Sequence, residues 1–385
     1  MFRRVPYDPL ASNLRIARQW LDHFVPTDWP QVAAGQVAAG IAGPEADAVF
    51  EPTPLVFQGR EPTCFWEWEE GIPFRGQEEA KRLLHIKVQA LGPDERLKAL
   101  LVGAAGCGKT ALAWVIARRL IEKRGGKFFE LLATQIAALP DFEAFVRGLK
   151  VNDVVFFDEA HVISETLGAE PLLHILADTG RPRLKIGTGE VLVPPSVSWL
   201  AGTTDPGRME KLTGGALKRR FDPVIRLEAP TVDTLAEILF DQEAPISQAA
   251  AYEIAERSNG LPWQALSLFK DALSVARVDG MSAIEMNHVQ QMFKLRKIDE
   301  NGLSADAQAV IRALLRSPVP MANGTVRYKM PQSGLCAASG VDPETYRQEV
   351  QPVLLRRGFL STSGGQTLLP RALEEYGHLL SEEIR

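Results

Sequence analysis

Cysteine is nearly absent from these 385 residues, with only Cys64, Cys107 and Cys336. Their odd number, wide spacing and lack of any CxxC pair argue against a disulfide framework and against a cysteine zinc site, and suit a reducing compartment. An excess of charge is missing too. With 43 Lys and Arg against 48 Asp and Glu, the formal net charge is −5. No global pull toward nucleic acid or anionic membrane follows, and any DNA contact has to come from a local patch. No apolar run approaches the roughly 20 residues that span a bilayer. The opening MFRRVPYDPL has arginines but no apolar h-region behind them, so no signal peptide is expected. These absences point to a cytoplasmic protein without membrane contact. What is present is globular material, 45% hydrophobic and 24% charged, in a chain long enough for two to four domains.

The strongest local signal lies at 97–124. LKALLV (97–102) reads as a short buried strand, and GAAGCGKT (103–110) matches G-x-x-x-x-G-K-[ST]. Helical periodicity follows at once through Leu112, Val115 and Ile116, with Gly125 as its stop. Gly103, Gly106 and Gly108 let backbone N–H groups curl around phosphates, and the helix N-terminus at Cys107, Lys109, Thr110 and Ala111 adds its positive end. Lys109 can reach the β- and γ-phosphates, and Thr110 offers a hydroxyl to Mg²⁺. Bound ATP with Mg²⁺ is therefore expected.

Two further strand ends complete the pattern. VNDVVFFDEAH is an apolar strand closing on Asp158-Glu159. Asp158 is placed to hold Mg²⁺, and Glu159 to orient or deprotonate the attacking water. By itself an Asp-Glu pair after a strand is as often a solvated turn; about fifty residues after a phosphate loop it is not. SVSWLAGTTD ends in two threonines, of which Thr204 is the better placed to meet the γ-phosphate or the water. In ALKRRF (216–221), three adjacent cations precede Phe221, and by themselves they read as a solvated charge run.

This order of motifs resembles the AAA+ ATPases, and within them the RuvB family of Holliday-junction branch-migration motors. The likeness covers residues 74–376. It includes FRGQ (74–77), similar to the family's adenine-side motif and giving Gly76 and Gln77 as cofactor contacts, and also SNGLPW, the linker LRKIDENGLSADAQAVIRALL and VLLRRGFL. The resemblance implies an α/β fold: a P-loop core with a parallel sheet, then a helical lid, then a C-terminal winged helix. It makes Arg220 an arginine finger that completes the site of a neighbouring subunit, and so implies a homo-oligomeric ring, most often a hexamer, that walks DNA through its pore. The family's other basic position falls on Lys218.

Three departures accompany the likeness. Where the family has a lid arginine after proline, this chain has Trp263, expected to pack within the lid rather than against the base. The hairpin RPRLKIGTGEVLVPP (181–195), which in the family docks onto RuvA, is shorter at its tip, so a different partner or DNA is expected at Arg181, Arg183 and Lys185. The wing STSGGQ (361–366) carries none of the family's arginines, which leaves Arg347, Arg356 and Arg357 as candidate DNA contacts. Residues 301–385 hold nine Lys and Arg against eight Asp and Glu, so this is no basic module.

The expected organisation is an N-terminal extension (1–70), an ATPase domain (71–230), a lid (231–298) whose first helix Thr231 caps, and a winged helix (299–385) entered through the hinge DENG. The Pro- and Gly-rich stretch 316–334 is expected to form an extended loop or hairpin. The extension contains four of the seven tryptophans (Trp20, Trp29, Trp66, Trp68). It also contains a helical face of Leu14, Ala17, Leu21 and Phe24, and is a candidate site for an unknown protein partner. Two functions remain: a DNA motor, and an ATP-switched assembly or remodelling scaffold of the mobile-element or phage-defence kind. The motor is the first reading and the scaffold the alternative, for which the bare wing and missing lid arginine speak modestly; DNA-stimulated hydrolysis separates them.

Overall fold

The computed structural model describes residues 67–69, 72–132, 139–177, 182–186, 189–321 and 326–379, all within one compact unit, Val49–Arg385. The amphipathic stretch around Leu14–Phe24 lies outside them, as do Trp20, Trp29, Trp66 and Arg181.

An antiparallel pair, β1 (Glu67–Glu69) and β2 (Ile72–Pro73), leads into β3 (Lys98–Val102), β4 (Phe128–Leu131) and β5 (Val154–Phe157). β6 (Arg183–Ile186) and β7 (Gly189–Leu192) form a separate antiparallel hairpin. β8 (Ser198–Thr203) and β9 (Val224–Arg226) then return to the central sheet, whose order is β4-β5-β8-β3-β9 with every pair parallel. The strands are apolar on both faces because both are covered. Leu100, Val102, Val155, Phe157 and Trp199 point into one core, with the helices Leu139–Gly148, Ala160–Leu167, Ala169–Ile175 and Pro206–Thr213. Ala99, Leu101, Val154, Phe156 and Leu200 point into the other, against Glu78–Ala90 and Lys109–Arg124. Each buried Leu or Phe contributes about 1.5–3 kcal/mol, so these two layers hold the strand ends rigidly.

A separate apolar core joins the four helices Val232–Phe240, Gln248–Arg257, Pro262–Val278 and Met286–Arg296. Thr231 caps the first, its hydroxyl accepting from Thr234 N at 3.2 Å. At the following turn, Asp299 Oδ1 accepts from Asn301 N and Leu303 N, and its Oδ2 from the Tyr376 hydroxyl at 2.7 Å.

The C-terminal part has its own core. Its helices are Ala305–Leu315, Gln332–Ser339 and a run from Pro343 through a π-turn at Tyr346–Val350 into Gln351–Arg356. Beside them lies an antiparallel sheet of β10 (Pro318–Pro320), β11 (Val326–Met330), β12 (Leu360–Ser361) and β13 (Gln366–Leu368) in the order β10-β11-β13-β12. This is a winged-helix arrangement, and the Pro- and Gly-rich stretch supplies the β10–β11 pair. Tyr346 is fully buried, donates to Gln366 Oε1 at 2.9 Å, and burial pushes its phenol up to about 12. Among the described residues no helix is long and apolar enough to cross a membrane.

Candidate functional site

β3 delivers the glycine-rich loop to the carboxyl edge of the sheet, where Gly103 N donates to Thr203 O on β8. Two of its glycines are required by the geometry. A Cβ on Gly103 would sit 2.6 Å from Cys107 Sγ, and Gly108 has φ +95°. Cys107 is buried, and burial raises its thiol, so it packs rather than reacts. Lys109 is also buried, and its ammonium donates to Gly103 O and Ala104 O at 3.1 and 3.0 Å. A buried cation whose ammonium bonds to carbonyls, at the N-terminus of the helix Lys109–Arg124, is a site prepared for an anion.

The carboxylates lie beside it. Thr110 Oγ1 is 3.5 Å from Asp158 Oδ2, so one hydroxyl and one carboxylate converge from the loop and from β5. Desolvation, with the neighbouring Glu159 charge, holds the Asp158 carboxyl above its usual range, while Lys109 draws it back. Glu159 has φ +50°, which turns its side chain toward β8. There Glu159 Oε2 accepts from Thr204 N at 3.2 Å and Thr204 Oγ1 at 3.0 Å. His161, which sequence reasoning missed, is buried beneath the pair, with Nδ1 3.2 Å from Glu159 Oε2 and 3.1 Å from Thr203 Oγ1. Its only signal was its place two residues after Glu159.

FRGQ lies between this loop and the lid. The Phe74 ring lies 3.6 Å from where a Gly108 Cβ would be, and Gly76 faces Thr234. Gln77 clasps the Glu228 backbone from both sides, donating to its O at 2.6 Å and accepting from its N at 3.2 Å. Arg75, also missed, makes a bidentate pair with Asp241 of the lid at 2.6 and 2.8 Å.

Trp263 does not enter the lid core. It begins the helix Pro262–Val278, is 49% exposed, and its N donates to Gly106 O at 3.3 Å. The expectation of lid packing is corrected: the first turn of that helix lies against the phosphate loop.

The three cations of ALKRRF occupy a 3-10 turn, Lys218–Arg220, pinned by buried Leu217 and Phe221 on either side. Lys218 pairs with Glu210. Asp222, directly after Phe221, bridges Lys98 at the amino end of β3, whereas the phosphate loop leaves the carboxyl end. Five residues of strand separate the two, roughly 16 Å. Arg220 therefore sits at the opposite end of the sheet from its own phosphate loop.

The other candidate cations divide. Arg347 is on the exposed face and pairs with Glu344. Arg183 pairs across the hairpin with Glu190 at 2.8 Å, and Lys185 lies opposite Glu190 in register. Arg356 and Arg357 both bond to the lid, Arg357 half-buried and Arg356 still exposed. Arg356 Nη1 donates to Asn259 O; Arg357 Nε donates to Asn259 Oδ1 at 2.8 Å and Nη2 to Glu256 O at 2.6 Å. The reason is electrostatic: the carbonyl end of the helix Gln248–Arg257 attracts guanidiniums. At the bare wing, Lys329 lies over the turn, its Cε 2.8 Å from a Cβ built on Gly365, and Arg327 and Lys329 are exposed together on β11. Their period-2 spacing in VRYKM was the available signal.

Residues 70–191 match the family described as the Holliday junction DNA helicase RuvB P-loop domain. The Holliday junction branch migration complex subunit RuvB 2 of Synechococcus sp. (strain JA-3-3Ab) is 30% identical over 314 residues, 79% of this chain and 80% of that protein. The RuvB subunit of Synechococcus sp. (strain WH7803) is 32% identical over 300 residues, 74% and 77% of the two chains. Among solved structures, the Thermotoga maritima RuvB Holliday junction branch migration motor superposes with a TM-score of 0.63 at 27% identity, over 80% of this chain and 95% of that one. With the phosphate loop inside the matched domain and relatives at 30% identity or more aligned over about three quarters of its length, the chain belongs to the RuvB family.

Proposed function

We propose that this chain is an ATP-hydrolysing, ring-forming DNA motor of the cytoplasm, built from an ATPase domain (71–230), a lid (231–298) and a winged helix (299–385). The observation that carries the reading is the placement of Arg220 at the far end of β3 from its own phosphate loop. An arginine so placed serves a neighbour's nucleotide, which requires a head-to-tail assembly.

Within one site, Gly103, Gly106, Cys107, Gly108, Lys109, Thr110 and Ala111 hold the phosphates, with Gly76 and Gln77 on the base side. Thr110 and Asp158 are the two protein oxygen donors suited to Mg²⁺, a hard cation that keeps its remaining positions for phosphate and water; when bound it neutralises charge on the phosphates. Glu159 takes the proton of the attacking water, and Thr204 holds that carboxylate in place. The neighbour's Arg220 stabilises charge as the γ-phosphoryl leaves. Arg347 and the β11 pair Arg327 and Lys329 offer the winged helix's cations to the DNA backbone, and the hairpin Arg183–Leu192 takes a protein partner.

ATP turnover by the purified chain, measured with and without duplex DNA across a salt series, tests this. Stimulation by DNA that fades as salt rises is expected, because phosphate contacts release counterions. A turnover rate indifferent to DNA at every salt concentration would overturn the motor reading in favour of an ATP-switched scaffold.

A further inference from the structure

Three parts of the chain meet at one lid turn, residues 258–263. From the ATPase domain, Gly106 O accepts from Trp263 N, and a Cβ on Gly106 would lie 2.9 Å from Trp263 Cβ. From the C-terminal part, Arg356 Nη1 donates to Asn259 O, while Arg357 fastens the same residue through its side chain and adds Glu256 O. Arg356 also lines a cavity of about 250 Å³ with Pro230, Asn259 and Gly260. In the phosphate loop, burial raises the Cys107 thiol, and it is drawn down first by Lys109, then by backbone N–H groups and last by Arg356.

The charge balance of the site gives this a purpose. A polyphosphate is strongly anionic, and the lid residue that touches the loop, Trp263, brings no charge. The Arg356 guanidinium uses one nitrogen on Asn259 O and has four further N–H donors for another acceptor. Arg357 fixes the backbone from which Arg356 projects.

We propose that Arg356 of the winged helix contacts the polyphosphate of the bound nucleotide, supplying from the C-terminal module the lid-side cation that Trp263 cannot. This rests on the reading of the phosphate loop as an ATP site. The C-terminal module is thereby a direct reader of nucleotide state: a triphosphate draws Arg356 toward the loop, and its loss returns the guanidinium to the lid turn.

Fluorescent ATP and ADP analogues titrated into the full chain test it. Arg356→Ala should weaken ATP binding roughly tenfold to a hundredfold, the range for a lost hydrogen bond to a charged group. Arg357→Ala should weaken it far less. Trp263→Arg placed in the Arg356→Ala background should recover most of the loss, because the cation returns from the lid. Arg356→Ala with unchanged affinity overturns the proposal. So does equal weakening by Arg356→Ala and Arg357→Ala without rescue, which would make the contact a structural clamp only. Lys109→Ala is the control: if it binds nucleotide as the parent does, the ATP site itself is misassigned, whereas loss there beside intact binding in Arg356→Ala defeats this inference alone.

Discussion

Glu159 illustrates what a single residue owes to its neighbours. Its left-handed backbone and its two bonds from Thr204 hold the carboxylate at the end of β8, beside the loop that carries Lys109. Glu159→Gln keeps the shape and removes the carboxylate proposed as the base. Single-turnover hydrolysis should fall by about 10²–10⁴-fold while filter-bound ATP stays at the parent level; loss of binding instead would assign Glu159 to the nucleotide pocket. Thr204→Ala should lower turnover less, since it frees the carboxylate without removing it. The residues of this candidate site that sequence made legible fall in two short runs, each with a strand before and a helix after: Lys109-Thr110 and Asp158-Glu159. His161 and Arg75 were not legible, because their partners are chosen by packing; Arg75 meets Asp241 across 166 positions.

At the scale of elements, the strands were readable because each is a short apolar block; Val154–Phe157 emerges with the boundaries its hydrophobicity marks. The winged helix was readable in outline, but not which way its arginines turn. That depends on the carbonyl end of a lid helix about a hundred residues earlier, a feature with no local trace near Arg356. The core of this module makes a direct prediction. Phe359 is fully buried, edge-on to Tyr376 at 5.6 Å and under the Arg371 guanidinium at 5.5 Å. Phe359→Ala should cost about 3–5 kcal/mol, read as an earlier urea transition of the C-terminal module in the full chain. Because Tyr376 also donates to Asp299 at the lid boundary, the same variant should raise proteolysis there. An unchanged transition would mean that the module repacks around the gap.

For the whole molecule, the separation of Arg220 from its own phosphate loop predicts complementation between two inactive chains. Lys109→Ala spoils the site a subunit owns, and Arg220→Ala spoils the site it lends to. Neither variant alone should turn over ATP. Mixed in equal amounts, about a quarter of the junctions pair an intact loop with an intact arginine, and turnover should return to roughly that share. A mixture as silent as its parts would place Arg220 in its own subunit's site. The all-parallel sheet carries a last consequence. In the head-to-tail assembly proposed above, each subunit would have a giving end and a receiving end, and the two would lie at opposite ends of the same strands. Strand direction would then set the direction in which one subunit's site depends on the next, before any substrate is present.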